Sequence, residues 1–569
     1  MNRAHAAAEK NINNVTAADK KRSQGDFMKK LYLIAVCIFA VILCSCDLLF
    51  GTGDETDPTK GNFWAVNAKT SSVYRVDAEL LAEGEYCNVW VEKGTVNAER
   101  AQQVADEYDN NIYQKMIDNF SLIIKEDEES YNIMDIADLL CDEDEKLCIL
   151  LLNIKDWYNG TSNLSYVAGY FWPHNFSNSK YSNKRDMIYI DTYPGMYIPE
   201  KWTCRLCGKE ENNDRLCSKC GELVPTISEA FCTLAHEMQH LMNYTTTLWS
   251  RQITKTNKDG EEEITGFNYM DLWIDEGLAA AAEWVYSGKY SQDRIAWFNN
   301  NGAFEKNKAG ELVRTMTGKI DKGNNFFVWE NYDDEKQYYA IMDDYATVSI
   351  FFQWLRLQGN NLNIYRDIIT SDYWDYKAVV KAMTTYYYDS NNTAMKNSWN
   401  TLFEAWLAAN YINDTTGVYG YMGEPFLSTI RVPPSAVTNT NPVVSLAPGE
   451  AVYSAASTQP STSGNGTNIR NAYIKNNTLL NSFSAGCTVM TINTNTSIVG
   501  VVENGRTTGV PIQPAATSIT ASFDSAGRSV VRSISEPYRV DARGLLNKRQ
   551  FDAEQFKGFK LKIGKKSDE

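Results

Sequence analysis

Two histidines set four residues apart, with a glutamate directly after the first, constrain this chain more than any other feature. The segment reads HEMQH at positions 236–240, and the 569 residues contain four histidines in total. Random placement would produce such a match roughly 0.004 times in a chain of this composition. Residues four apart on an α-helix lie one above the other, so His236 and His240 can bind one Zn²⁺.

The sequence around this motif predicts the helix that such a site requires. Thr226-Ile227-Ser228-Glu229 matches the pattern of a capping box and predicts the start of the helix. Apolar residues recur at helical spacing along one stripe, while His236 and His240 point to the opposite side. Glu237 projects ~100° away from His236, which suits a general base that acts on a metal-held water molecule.

A catalytic zinc site has three protein ligands and one open position, so a third ligand must come from another segment. No histidine follows His240, and His174 would have to come from an upstream segment, which favours a carboxylate. The segment 272–284 predicts a helix with Glu276 and Glu283 on one face. These two lie ~10 Å apart along the helix, so both cannot bind one zinc. We assign Glu276 as the ligand and Glu283 as a side chain that orients a ligand.

These motifs together resemble the gluzincin metallopeptidases, whose third zinc ligand is the glutamate of a W-x-N/D-E-G helix. Here that helix is WIDEG at 273–277, and HLMN at 240–243 is most similar to the hyicolysin family. The resemblance covers roughly residues 62–413. It implies an α+β, zincin-like fold with a mixed sheet, and a zinc metalloendopeptidase that acts on proteins or peptides.

The resemblance also implies roles for particular segments. Val167–Trp172 is the candidate edge strand that pairs with an extended peptide substrate. Tyr345 lies on a segment similar to the helix that follows the zinc ligands in the family, and it is the candidate donor to the oxyanion. Peptide bonds would be hydrolysed by a zinc-bound water with Glu237 as general base.

Two other functions stay open. An aminopeptidase ranks below an endopeptidase, because the sequence has no identifiable G-x-M-E-N motif. An inactive surface binding protein or adhesin that retains the fold is the alternative to an enzyme.

Four cysteines give a second metal signal. Cys204-x2-Cys207 and Cys217-x2-Cys220 are each followed directly by glycine, and this spacing predicts a structural zinc in a ribbon inserted at 201–223. Disulfides are the alternative outside the cytoplasm. The basic residues of the ribbon are balanced by acidic ones and the net charge of the chain is −16, so we expect no nucleic-acid partner.

The N-terminal region predicts export. The apolar run from Leu31 to Cys44 follows two lysines and is shorter than the ~20 residues that cross a bilayer, so it predicts a secretory signal. The sequence LCSC at 43–46 resembles a bacterial lipobox, which implies that Cys46 carries the lipid anchor. We expect translation to begin at Met28, residues 1–46 to form the signal region, and 47–61 to form a tether. The expected location is the bacterial cell envelope.

The remaining chain divides into two parts by composition. Strand-like and helix-like segments alternate over 62–413, with predicted strands at Cys87–Glu92, Cys148–Ile154 and Met187–Asp191 and predicted helices at Ala98–Asn119 and Thr393–Ile412. A charged loop, Lys255–Thr265, is expected to border the cleft. Residues 414–569 are rich in Ser, Thr and Asn with short apolar runs such as Thr488–Asn493 and Ser497–Val502. They predict a β-rich C-terminal unit, with a flexible stalk as the alternative.

Overall fold

The structure is a computed structural model. The residues that it describes are 60–70, 72–126, 129–142, 144–159, 166–177, 181–197, 201–204, 206–213, 216–258, 260, 262–291, 294–295, 298–299, 304–306, 312–314, 327, 341–359, 362–386, 398–432, 449, 451–456, 469–494 and 496. The predicted signal region with Cys46, most of the tether, and the run Ser497–Val502 lie outside these residues.

The strands of the described residues are, in chain order, β1 Asn62–Asn67, β2 Ser72–Glu83, β3 Cys87–Glu92, β4 Ile123–Glu126, β5 Glu129–Asn132, β6 Leu147–Leu152, β7 Gly169–Phe171, β8 Met187–Asp191, β9 Trp202–Thr203, β10 Glu210–Glu211, β11 Gln252–Thr256, β12 Glu262–Phe267, β13 Phe304–Lys306, β14 Leu312–Arg314, β15 Ala451–Ala456, β16 Ile469–Lys475, β17 Thr478–Leu480 and β18 Cys487–Asn493.

The helices are α1 Ala98–Glu107, α2 Tyr113–Phe120, α3 Ile133–Leu139, α4 Pro225–Ser250, α5 Leu272–Ser287, α6 Ile341–Gly359, α7 Asn363–Ile369, α8 Tyr376–Tyr386 and α9 Trp399–Ile412. A π-helical turn, Tyr108–Ile112, joins α1 to α2, so the predicted helix Ala98–Asn119 has an irregular turn at its centre. Among the described residues, no helix combines the length and apolar character needed to cross a bilayer.

A mixed six-stranded sheet, in the order β1-β2-β3-β6-β8-β7, organises the fold. The pairs β3–β6 and β6–β8 are parallel, and β7 pairs antiparallel with β8 at the edge of the sheet. β6 reads LCILLL and is buried throughout, as expected for a central strand covered on both faces. Ile149 and Leu151 join the main helical core, while Leu150 and Leu152 join a second core on the other face. The class is mixed α and β, compatible with a metallopeptidase domain.

The start of α4 differs from the sequence prediction. Its first residue is Pro225 and its N-cap is Val224, with no side-chain hydrogen bond to the helix terminus. The Thr226 hydroxyl donates instead to the carbonyl oxygen of Tyr197 at 2.9 Å, so the predicted capping box is wrong. Proline suits the first helical position because its missing N–H would have no partner within the helix.

The charged segment Lys255–Thr265 also differs from the prediction of a loop. β11 and β12 pair antiparallel and form a hairpin directly after α4, with register from Gln252↔Phe267 to Thr256↔Glu262. Ile and Thr residues in both strands supply the β-branched side chains that favour an extended backbone.

The strands β15 to β18 form one antiparallel sheet in the order β15-β18-β16-β17. The sheet contacts two residues of α9. The Tyr453 hydroxyl donates to the carbonyl oxygen of Leu407 at 2.7 Å, and Arg470 forms an ion pair with Glu404. These contacts pack the sheet against α9. That residues 414–569 form a unit of their own stays a prediction.

Candidate metal centre

α4 and α5 bring the three predicted zinc ligands together. Nε2 of His236 lies 3.4 Å from Oε2 of Glu276, and Nε2 of His240 lies 3.7 Å from the same oxygen. One ligand atom from each residue lies within 4.8 Å of the other two, and all three residues are fully buried. The HEMQH segment on one helix and the WIDEG segment on another therefore converge on one point.

The residues present fit a zinc ion. Two imidazole nitrogens and one carboxylate oxygen are a donor set of catalytic zinc sites. Within the described residues, Oε2 of Glu276 and Oε1 of Glu237 are buried and have no hydrogen-bond partner. A carboxylate oxygen that is buried without a partner destabilises the folded state by about the free energy of a lost hydrogen bond, or by more when the carboxylate is ionised. A cation at the point of convergence would remove that cost.

Glu283 lies against the first histidine, in the position predicted for a side chain that orients it. It lies two turns after Glu276 on α5, and its Oε1 is 2.8 Å from Nδ1 of His236. The same oxygen accepts a hydrogen bond of 2.9 Å from Nη2 of Arg294. Burial opposes ionisation, but Arg294 and His236 outweigh it and lower the pKa of the Glu283 carboxyl below its ordinary value. An ionised Glu283 can accept a hydrogen bond from the Nδ1–H of His236, and Nε2 then faces Glu276.

Asp275 has the corresponding position for the second histidine. Its Oδ1 lies 3.2 Å from Nδ1 of His240 and accepts a hydrogen bond of 2.6 Å from Nδ2 of Asn243. Buried Arg251 donates in turn to Oδ1 of Asn243 at 3.3 Å. Asp275 is not among the site residues that the sequence predicts. One sequence feature could have indicated it: Asp275 directly precedes the assigned ligand Glu276, and a helix places neighbouring side chains about 100° apart.

Glu237 is held by the edge strand. The backbone N–H of Phe171 in β7 donates to Oε2 of Glu237 at 3.0 Å. β7 approaches α4 closely because residue 169 is glycine: a Cβ there would lie 2.8 Å from Cγ2 of Thr233. Burial raises the pKa of the Glu237 carboxyl to about 7, against the lowering influence of His236 and His240.

Tyr345, on α6, lies beside the predicted zinc ligand Glu276. Its buried hydroxyl donates to Oε1 of Glu276 at 3.0 Å, and the guanidinium of Arg294 lies 5.8 Å from the centre of its ring. A phenolic hydroxyl has one proton and serves one acceptor at a time. In this structure that acceptor is the Glu276 carboxylate, and donation to an oxyanion stays a prediction.

The four ribbon cysteines also cluster. Sγ of Cys204 lies 3.5 Å from Sγ of Cys220, and Sγ of Cys207 lies 3.4 Å from Sγ of Cys217. All four sulfur atoms lie within 4.8 Å of one another. Two matching turns position them: the N–H of Gly208 donates to the carbonyl of Cys204, as that of Gly221 does to Cys217. Both glycines have positive φ, +69° and +72°, which favours glycine.

Comparison with known proteins agrees with this geometry. The chain is similar to the neutral metalloprotease ShpI of Staphylococcus hyicus, with 27% identity over 374 residues that cover 66% of this chain and 67% of that protein. No protein-family profile matches the chain. The similarity and the His-His-Glu cluster support a zinc metalloprotease function.

Proposed function

We propose that this protein is a zinc-dependent endopeptidase, anchored by lipid in a bacterial cell envelope. The observation that carries the proposal is the convergence of His236, His240 and Glu276, with Glu237 on the same helix turn. The similarity to a neutral metalloprotease supports the hydrolytic activity. The intact ligand set and this similarity do not favour an inactive binding protein or adhesin.

The ligands would hold zinc, which supplies Lewis acidity for a water molecule and for the carbonyl group of a peptide. Glu237 is the proposed general base. Because the Phe171 N–H holds its Oε2, Oε1 remains available to accept a proton from the attacking water and to pass it to the leaving amine. Tyr345 is the proposed donor to the oxyanion, and it would have to release Glu276 to act in that way.

The proposed substrate is an extended peptide that pairs with β7. β7 lies at the end of the sheet order, where the described residues pair it with β8 on one side. An edge strand can add another strand through main-chain hydrogen bonds. The contact between β7 and Glu237 would place such a peptide beside the general base.

The structural zinc in the ribbon is a further part of the proposal. The sulfur separations of 3.4 and 3.5 Å are longer than the ~2.05 Å of a disulfide. They approach the edge of about 3.8 Å expected for a tetrahedron with Zn–S bonds of about 2.3 Å. Four thiolates would complete the coordination shell, so this zinc would stabilise the ribbon and not take part in catalysis.

The anchor is proposed from the sequence at 43–46. Replacement of Cys46 by serine should prevent incorporation of labelled fatty acid and release the protein from the membrane fraction. Unchanged labelling would refute Cys46 as the modified residue. This outcome is independent of the zinc chemistry, because Cys46 is not one of the proposed zinc ligands.

Glu237→Gln tests the enzymatic proposal. Casein cleavage should fall to background while zinc content stays at that of the wild type, since the three ligands remain. Glu229→Gln, two turns earlier on α4, is the matched control and should keep full activity.

Phenanthroline should stop cleavage by the wild type. Retained proteolysis by Glu237→Gln would overturn the assignment, and cleavage confined to peptides with free N-termini would indicate an aminopeptidase.

A further inference from the structure

A pocket of about 290 Å³ lies beside the metal centre and is lined by residues of α5 and α6. Glu283 comes from α5, and Ser349 and Gln353 come from α6. The segment that follows α5 completes the lining and contributes Arg294. We name this cavity the Arg294 pocket.

The Arg294 pocket lies within reach of a peptide bound at the metal centre. Glu283 belongs to both, because it lines the pocket and its Oε1 lies 2.8 Å from Nδ1 of His236. Along α5, Glu283 lies ~10 Å from Glu276, and along α6 Ser349 lies one turn after Tyr345. An extended peptide rises ~3.3 Å per residue. A side chain within about three residues of the cleaved bond could therefore enter the pocket.

Arg294 has a donor that the protein does not use. The residue is 9% exposed, and its Nη2 donates to Oε1 of Glu283 at 2.9 Å. Its Nη1 is buried and has no hydrogen-bond partner among the described residues. Buried polar groups in folded proteins nearly always have a partner. Because Arg294 lines the pocket, an acceptor bound there could use this N–H group.

The other charged side chains that line the pocket are already engaged. Lys289 forms an ion pair with Glu222. Oε1 of Glu283 accepts the hydrogen bond from Arg294 and faces His236. Recognition of a ligand is therefore assigned to the unpartnered edge of the Arg294 guanidinium and not to an excess of charge in the lining.

The chemistry of the lining favours a carboxylate on a short apolar stem. A guanidinium only donates hydrogen bonds, and its bonds to a carboxylate are stronger than those to a neutral acceptor. The hydroxyl groups of Ser291 and Ser349 also line the pocket and can donate to a second oxygen. Ile295 and Ile350 supply apolar surface for methylene groups.

We propose that the Arg294 pocket is a specificity subsite that takes an acidic side chain, Asp or Glu, of the peptide substrate. This inference depends on the proposed peptidase function. The carboxylate would accept a hydrogen bond from Nη1 of Arg294, while Nη2 keeps its bond to Glu283. A side chain is the expected ligand, because the substrate of an endopeptidase continues on both sides of the cleaved bond.

Paired peptides test the subsite. The set consists of octapeptides that are blocked at both ends and differ by Glu or Gln at one position, which is moved along the peptide. For the zinc-loaded full chain we expect kcat/KM to be at least about tenfold higher with Glu than with Gln at one position near the cleaved bond. Equal rates at every position would overturn the proposal. A preference that requires a free C-terminal carboxylate would also overturn it.

Replacement of Arg294 tests the residue assignment. At saturating zinc, Arg294→Gln should bring the ratio of the Glu and Gln rates close to one, whereas Arg294→Lys keeps the charge and should retain part of the preference. A purely structural role would lower both rates by the same factor, and an unchanged ratio would overturn the assignment. The matched control is Arg366→Gln, which changes a partly buried arginine that donates to Asn363 and should keep the wild-type ratio.

Peptide binding to zinc-loaded Glu237→Gln separates this inference from the proposed function. Fluorescence anisotropy of labelled peptides should give about tenfold tighter binding of the Glu peptide than of its Gln partner. This preference without cleavage by the wild type would support the subsite and refute the peptidase. Cleavage without any preference would refute the subsite alone. The comparison of peptides stays decisive if Arg294→Gln does not fold, because it needs no change at Arg294.

Discussion

The Glu283 carboxylate lies 2.8 Å from Nδ1 of His236, on the side of the imidazole away from Glu276. Asp275 has the same relation to His240, at 3.2 Å. α5 thus supplies the proposed metal ligand, Glu276, and one carboxylate beside Nδ1 of each histidine of α4. The two helices form the centre as a pair, and neither helix alone contains the full set of contacts.

Removing either orienting charge should weaken zinc binding. For Glu283→Gln and for Asp275→Asn we expect zinc affinity to fall about 10–100-fold, because the histidines lose their charged acceptors. Competition with a chromogenic chelator measures the affinity. Glu79→Gln, an exposed residue beside Lys93, is the control and should bind zinc as the wild type does. Wild-type affinity in both variants would mean that the ring orientations are set by packing alone.

Tyr345→Phe separates two roles of one hydroxyl. If the observed bond to Glu276 is its role, zinc affinity should fall about tenfold, while kcat at saturating zinc stays within about threefold of the wild type. Because Tyr345 is the proposed donor to the oxyanion, we expect a loss of about 10²-fold in kcat with full zinc occupancy. A change confined to zinc affinity would refute that donation. Zinc titration and casein kinetics on the same samples give both readings.

Gly277→Ala should destabilise the fold although alanine is the better helix former. A Cβ at position 277 would lie 2.3 Å from a ring carbon of Phe352, a fully buried residue of α6. The repacking costs about 1–3 kcal/mol, against a gain of about 1 kcal/mol in helix propensity. Urea unfolding measures the difference. The same substitution should cost less in a Phe352→Leu background, and equal costs in both backgrounds would contradict the proposed clash.

Zinc stoichiometry should resolve the two metal sites. By elemental analysis we expect two zinc ions per chain in the wild type, one in a variant with all four ribbon cysteines replaced by serine, and one in Glu276→Ala. Activity should be lost in Glu276→Ala. One zinc in the wild type, together with no titratable thiols at the ribbon, would indicate disulfides there.

Local spacing was enough to predict much of this protein. The imidazoles four residues apart and the carboxylate of the WIDEG segment converge as expected, because a helix converts short sequence intervals into fixed directions. The strands Cys87–Glu92 and Met187–Asp191 have the predicted bounds, since their apolar runs end at polar residues. The predicted capping box does not form, because the Thr226 hydroxyl donates to the carbonyl oxygen of Tyr197, which lies 29 residues earlier in the chain.

The sequence by itself determined the chemistry of the centre: which side chains can bind zinc, and which carboxylate stands beside them on the helix. Only the tertiary structure decided the partners of those side chains, including the Phe171 N–H on Glu237 and Arg294 on Glu283. Each of these contacts joins segments that no helical or strand period relates. Their proximity depends on how the sheet and helices pack as a whole.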